Sequence, residues 1–314
     1  MKLSTFIGHH KRPRLGVVDL EQRAVLDLAT AAETVHRRTD PNLVDMLSLI
    51  DAAAPGLARV EDLVREWPSE AAEDLDGVKL LAPVPIPRQL RDGMAFEEHV
   101  YNSRKQVEKR TGRPQKMPEV WYEHPVYYKC NRFNVVGHEA DVIWPSYSEW
   151  MDYELEIACV IGKTGKDIFA ETAPAHVFGF TIYDDFSARD AQFTEMRAGL
   201  GPAKGKDFDT GNVFGPWIVT PDELGDPHDL TMEVRVNGER WGGGSTKSMH
   251  YTFWDIIAWV SKDETLYAGE IIGSGTVGTG SAHELGKTLA PNDVIELEIE
   301  KIGVLRNRLI RPHA

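Results

Sequence analysis

The stretch Tyr153-Glu-Leu-Glu-Ile-Ala-Cys-Val-Ile161 constrains this chain more than any other. Its alternation is that of a β-strand. Tyr153, Leu155, Ile157, Cys159 and Ile161 point to one face, and Glu154, Glu156, Ala158 and Val160 to the other. The first face is wholly apolar and has to lie against a core. The second opens with two carboxylates about 7 Å apart and then runs into Ala and Val, which predicts that the glutamates are partly enclosed. Enclosed carboxylates are costly without a counter-cation. Taken in isolation, the same Glu-x-Glu pattern also fits a solvated strand face with two ordinary glutamates.

Around this strand the chain divides by pattern. Lys2–Ile7, Leu15–Leu20 and Ala24–Leu28 alternate like short strands. Two helical patches follow: Pro41–Ile50, with Leu43, Met46, Leu47 and Ile50 on one face, and Gly56–Trp67, with Leu57, Val60, Leu63, Val64 and Trp67. Ala82-Pro-Val-Pro-Ile-Pro-Arg88 reads as a linker, because alternating prolines force an extended path and forbid a helix. Residues 1–82 are therefore expected as a small α+β unit and 83–314 as a β-rich catalytic unit. In the latter, Phe96–Arg110 and Thr252–Trp259 read as helices. Phe178–Tyr183, Trp217–Thr220, Thr231–Val236 and Val294–Ile299 read as strands, with a hairpin turn at Val236-Asn-Gly-Glu239.

Charge and composition exclude several classes. The 35 basic and 49 acidic side chains leave a formal charge of −14, which argues against a nucleic-acid or anionic-membrane surface. No apolar run approaches the length of a membrane span. The first twenty residues lack the apolar segment of a secretory signal. Cys130 and Cys159 are the two cysteines, too few for a disulfide framework, so a cytoplasmic location is expected.

Some motif matches fail on context. Gly273-Ser-Gly275-Thr-Val-Gly278 satisfies G-x-G-x-x-G, but the following segment is short and polar and Pro291 closes it, so no dinucleotide site is expected. Gly205-Lys206 lacks the other residues of a phosphate-binding loop, since Leu200 and Asp207 occupy the required positions. No Ser or Cys nucleophile signature is present.

Other acids are candidates to join Glu154 and Glu156. Asp184 and Asp185 end the apolar run Phe180–Tyr183, and Asp92 lies just past the proline linker, ahead of the helix bearing His99. Converging carboxylates raise one another's proton affinity unless a cation binds. An oxygen-only set points to Mg²⁺, Mn²⁺ or Ca²⁺ rather than zinc. Arg189 and Asp190 read as structural pairs.

Asp92-x₆-His99, Glu154-Leu-Glu156, Asp185-Phe-Ser-Ala-Arg-Asp190, Gly205-Lys206-Asp-Phe208 and Ser274-Gly-Thr276, in this order, resemble the fumarylacetoacetate hydrolase family over roughly residues 80–310. The resemblance implies an α+β chain with a mixed β-roll or barrel-like catalytic domain and a divalent metal, Mg²⁺ by first expectation, on Asp92, Glu154, Glu156 and Asp185. It implies His99 as the water-activating base and Glu284 as its partner acid. Lys206, Gln192 and Thr276 match oxyanion or substrate contacts, Tyr128 a substrate tyrosine, and Arg104 is the nearest match to a binding arginine. Met196 stands where a second binding tyrosine would fall, which points away from fumarylacetoacetate itself. A homodimer through the catalytic unit is also implied.

The expected activity is divalent-metal-dependent hydrolysis of a carbon–carbon bond in a small anionic acylpyruvate or diketo acid, in aromatic or sugar-acid catabolism. The chelate that would support it equally suits decarboxylation or isomerisation of 2-oxo or 2-hydroxy-dienoic diacids. A non-catalytic ligand-binding β protein is the contrasting reading.

Overall fold

The strand Leu155–Ile161 is buried along its whole length. On one side Leu155, Ile157, Cys159 and Ile161 belong to an apolar cluster that includes Val234, Leu297 and Leu305 of a second sheet and Phe253 and Ile256 of the helix Phe253–Val260. On the other, Ala158 and Val160 belong to a cluster that includes Leu49, Ile50, Val60 and Leu63. Each such aliphatic side chain contributes about 1.5–3 kcal/mol on burial, so the two apolar faces fix the strand and Glu156 is carried in with it. The computed structural model describes residues 1–312; residues 313–314, the last two of the expected catalytic unit, lie outside the described residues.

The main sheet has twelve strands. Its path runs Ala72–Asp74, Ala24–Asp27, Pro13–Asp19, Lys2–Ile7, Asn212–Val219, Val177–Asp185, Leu155–Ile161, Ile271–Gly273, Leu90–Gly93 and Tyr127–Lys129, with Lys79–Leu80 and Val135–Val136 pairing off it. A second sheet has five strands, Glu239–Ser245, Thr231–Val236, Val294–Ile299, Gly303–Ile310 and Asp141–Ile143. The chain is thus α+β with large mixed sheets. The described strands form open paths with distinct ends and not a closed barrel.

The segment 1–82, expected as a unit of its own, enters the same sheet. Lys2 and Leu3 pair with Val219 and Ile218, and Leu3, Leu26 and Leu49 share one apolar cluster with Val160 and Ile271. The patch expected as a helix over Pro41–Ile50 starts as a separate 3-10 turn, Pro41–Leu43, and only its second half joins Met46–Glu66. That helix also takes in the patch expected over Gly56–Trp67, with Trp67 as its C-cap, and is broken at Ala53, where φ is 50°, two residues before Pro55. A further helix, Leu28–His36, starts where Asp27 accepts a hydrogen bond from the Thr30 N–H. The alternation over Ala24–Leu28 gave no sign of it.

Elsewhere the local signals act as expected. Asn237 and Gly238 both have positive φ, 53° and 79°, which the tight turn between paired Val236 and Glu239 requires. The helix Phe253–Val260 carries a reciprocal cap between Thr252 and Asp255. The helix Glu97–Thr111 has Glu97 and Glu98 in its first turn and Lys109 and Arg110 in its last, the favourable sense for its dipole, and ends at Gly112 with φ 67°. Its buried residues, His99 and Val100, face inward from the first turn.

Candidate active site

Three strands deliver the acids. Asp185 ends Val177–Asp185, Glu156 lies in the adjoining Leu155–Ile161, and Asp92 lies in Leu90–Gly93. Between the last two runs the short strand Ile271–Gly273, where Gly273 pairs with Asp92 on one side and Ala158 on the other. Gly273 is what lets the acids meet: a Cβ there would lie 2.5 Å from Asp92 Oδ1 and 2.9 Å from Glu156 Oε2. One oxygen from each of Asp92, Glu156 and Asp185 lies within 4.8 Å of the others, and all three residues are buried.

Neighbouring groups orient these carboxylates. The Gly275 N–H donates to Glu156 Oε2 at 2.9 Å and to Asp92 Oδ1 at 3.2 Å. The Thr276 hydroxyl donates to Glu156 Oε1 at 3.4 Å, and the Tyr128 hydroxyl to Asp185 Oδ2 at 2.6 Å. Asp185 Oδ1 is buried with no hydrogen-bond partner, an expensive state for a carboxylate oxygen. Burial, reinforced by Asp185, pushes the Asp92 carboxyl up to about 7. Burial beside Asp92 raises Glu156 well above the usual carboxylate range. An all-oxygen set, an orphaned inward oxygen and a glycine that leaves the space open together fit a hard divalent cation.

Glu154, expected as a fourth ligand, has partners of its own. It lies outside the oxygen cluster of Asp92, Glu156 and Asp185 and is held by cations: Arg189 Nη2 donates to its Oε1 at 2.7 Å and the Lys206 ammonium to its Oε2. Burial opposes its charge, but Arg189 and Lys206 hold its carboxyl far below the ordinary value. Two residues along a strand share a face yet lie one pleat apart, so Glu156 reaches the neighbouring strands while Glu154 meets the groups beyond them.

Lys206 also donates to the Asp185 carbonyl at 2.9 Å and to Asp185 Oδ2 at 2.6 Å. An ammonium has three donors, and here all three are engaged. Burial works against its charge, and Asp185 and Glu154 more than compensate, raising its proton affinity.

His99 and Glu284 come together across the fold. His99 Nδ1 lies 2.8 Å from Glu284 Oε2, and Nε2 lies 3.7 Å from Glu154 Oε1. Ser281, capping the helix Ala282–Leu285, donates to Glu284 Oε2 at 3.0 Å, and the Thr279 N–H to Oε1 at 3.0 Å. Burial lowers the proton affinity of His99, but the Glu284 and Glu154 charges outweigh it and the net direction is upward.

The remaining expected residues are scattered in role. Gln192 Oε1 accepts from Arg189 Nη1 at 2.9 Å, which leaves its amide N–H groups free of that contact. Arg104 is five residues from His99, about 140° round the helix, and does not share its face. Met196 is 54% exposed. Of the acid pair, Asp185 enters the site, while Asp184 accepts the Glu154 N–H at 2.9 Å.

Arg189, expected to form structural pairs, bonds Asp152, Glu154 and Gln192 at once. Asp152 was missed. Its signal was present: Asp152, Glu154 and Glu156 stand at i, i+2 and i+4, the spacing of one strand face.

The family model for the fumarylacetoacetate (FAA) hydrolase C-terminal region matches residues 89–310. The chain is 37% identical over 235 residues to the human mitochondrial oxaloacetate tautomerase FAHD2A, covering 74% of this chain and 70% of that one. It is 32% identical over 317 residues to the oxaloacetate tautomerase YisK of Bacillus subtilis, covering 96% and 97%. The solved fumarylacetoacetate hydrolase of Exiguobacterium antarcticum superposes with a TM-score of 0.74 at 29% identity, over 99% of this chain and 100% of that one. With a family match across most of its length and a carboxylate cluster built from the residues that carried the resemblance, this chain belongs to the fumarylacetoacetate hydrolase family.

Proposed function

We propose that the protein interconverts the keto and enol forms of a small 2-oxo diacid such as oxaloacetate, with Mg²⁺ or a similar cation on Asp92, Glu156 and Asp185. One observation carries this reading: His99 offers a buried proton acceptor, oriented by Glu284, beside the charged cluster. Both reactions develop charge on the keto oxygen, but keto–enol transfer asks of the protein only that His99 move a proton, whereas hydrolysis also needs a positioned water and a broken carbon–carbon bond. Two of the relatives described above carry the name oxaloacetate tautomerase, which supports the same direction.

When bound, the cation supplies a Lewis acid that polarises the keto group and an anchor for substrate oxygens. With Nδ1–H donated to Glu284, neutral His99 carries its lone pair on Nε2. Nε2 takes a proton from the carbon next to the keto group, the C–H electron pair becomes the new C=C bond, and the carbonyl pair moves to oxygen. The protonated Nε2 then gives its proton up to that oxygen, directly or through water, which yields the enol and restores neutral His99. Glu284 offsets the positive charge that His99 acquires in between. The Gln192 amide has N–H groups available for a substrate carboxylate.

Carbon–carbon hydrolysis is the second reading, supported by the His99–Glu284 pair and by the likeness to a fumarylacetoacetate hydrolase. The two are separated by following enol-oxaloacetate absorbance and, in parallel, product masses from a panel of acylpyruvates, with and without EDTA. The tautomerase reading expects EDTA-sensitive loss of enol absorbance with no cleavage. Cleaved acylpyruvates with unaccelerated ketonisation would overturn it.

A further inference from the structure

Asp152 takes no part in the carboxylate triad, yet it reaches both groups that frame His99. It is fully buried. Its Oδ2 accepts from Arg189 Nε at 2.8 Å and Nη2 at 2.6 Å. The same Nη2 donates to Glu154 Oε1, the oxygen nearest His99 Nε2. On the other side, Asp152 Oδ1 accepts the Ala282 N–H at 2.8 Å and Oδ2 the His283 N–H at 3.2 Å. These N–H groups open the helix Ala282–Leu285 that carries Glu284. The contacts close a ring through Asp152, that helix, Glu284, His99, Glu154 and Arg189.

The ring has a rigid base. Met151–Asp152 pairs with Ser187–Ala188 in a two-stranded ribbon, Asp152 opposite Ser187, so Asp152 and Arg189 are set by the same short pairing. A carboxylate suits the junction because all the groups reaching it are donors: two from a guanidinium and two from backbone amides. An amide side chain would turn an NH₂ group toward one of them.

We propose that Asp152 is a positioning residue that sets both sides of the His99 imidazole, Nε2 through Arg189 and Glu154, and Nδ1 through the helix Ala282–Leu285 and Glu284. The proposal rests on His99 being the proton-transfer group. Its consequence is kinetic. Cutting the ring at Asp152 disturbs the orientation of the base without touching Asp92, Glu156 or Asp185.

The test compares wild type with D152N, E284Q, the D152N/E284Q double variant and H99A, by steady-state ketonisation of enol-oxaloacetate and by Mn²⁺ titration of each protein. D152N is expected to lower kcat about 10–100-fold, as loss of an outer orienting partner does, with KM and Mn²⁺ affinity within about threefold of wild type. Added to E284Q, D152N is expected to cost less than about threefold further, because the ring is already open. Unchanged kcat in D152N, or the same fold-loss in both backgrounds, or a fall in Mn²⁺ affinity that tracks kcat, would overturn the proposal. Should D152N fail to fold, R189K cuts the ring from its other side and is held to the same outcomes for kcat and Mn²⁺ affinity, its KM being left out because Arg189 also bonds Gln192. If H99A keeps wild-type kcat, the reading of His99 fails. If H99A is inactive while D152N is unimpaired, only the role of Asp152 fails.

Discussion

Glu284 Oε2 sits 2.8 Å from His99 Nδ1 across a separation of 185 residues. The carboxylate is also held by Ser281, by the Thr279 N–H and by the Asn102 amide, the last at 3.3 Å from Oε1. A carboxylate gripped from several directions has its orientation fixed in advance, and so does the imidazole it faces.

Glu284→Gln removes the charge while keeping the shape. The expected outcome is a kcat lower by about 10–100-fold and a shifted pH profile. Burial draws the His99 proton affinity down and Glu284 draws it up. Without that charge the upward pull is weaker, so neutral His99 persists to lower pH. The acidic limb of kcat/KM therefore moves to lower pH. A limb that moves upward or stays in place would remove His99 from the role of base.

The triad makes cation binding pH-dependent. Asp92, held up to about 7 by burial and then by Asp185, is protonated at mildly acidic pH in the metal-free protein. In the unfolded chain an Asp titrates near its ordinary value of 3.8. The folded state thus binds the extra proton between those values, and its stability from this group is lost as pH rises through the folded value. A divalent cation takes the proton's place. Added Mg²⁺ is expected to raise Tm more at about pH 8 than at about pH 6, with proton release on binding at the lower pH. Equal Tm gains, read by differential scanning fluorimetry, would contradict this.

Gly273→Ala places a methyl group against Asp92 and Glu156 together. It also lies 2.9 Å from Cδ1 of the buried Tyr183 ring, so the metal-free fold is expected to lose about 1–3 kcal/mol as well. Mn²⁺ affinity is expected to fall by about tenfold or more, since the ligands no longer converge. Titration calorimetry with a parallel melting curve measures both, and wild-type affinity would mean that the cation does not bind over Gly273.

Lys206→Met leaves Glu154 and Asp185 without the ammonium that both contact. Loss of one partner from a buried ion pair costs about 3–5 kcal/mol, readable by urea unfolding in EDTA. The deficit should shrink in Mg²⁺, which restores positive charge beside Asp185. A deficit unaffected by Mg²⁺ would argue that Lys206 and the cation site are uncoupled.

Much of the site could be read from the chain because its residues sit where local rules are strong. Glu154 and Glu156 stood out against an apolar strand, and Asp185 at the end of another. The pairing of His99 with Glu284 had no local signal and came only through resemblance. The helix Leu28–His36 was hidden by a strand-like alternation that ends where it begins. Arg189 pairs as expected, but nothing local in the sequence shows that its partners are Asp152, Glu154 and Gln192 or that it is only 4% exposed.

The sequence by itself determined which faces must be buried, where the turns fall, and that several carboxylates stand on or at the ends of apolar strands. Those properties follow from alternation and burial energy, which act over a few residues. Which carboxylates meet was decided by tertiary structure. Strand order brought Asp92 beside Glu156 across the bare backbone of Gly273, and one pleat of displacement gave Glu154 to Arg189 and Lys206. Side-chain charges are attracted or repelled by whatever lies within a few ångströms, and that set of neighbours exists only once distant strands have paired.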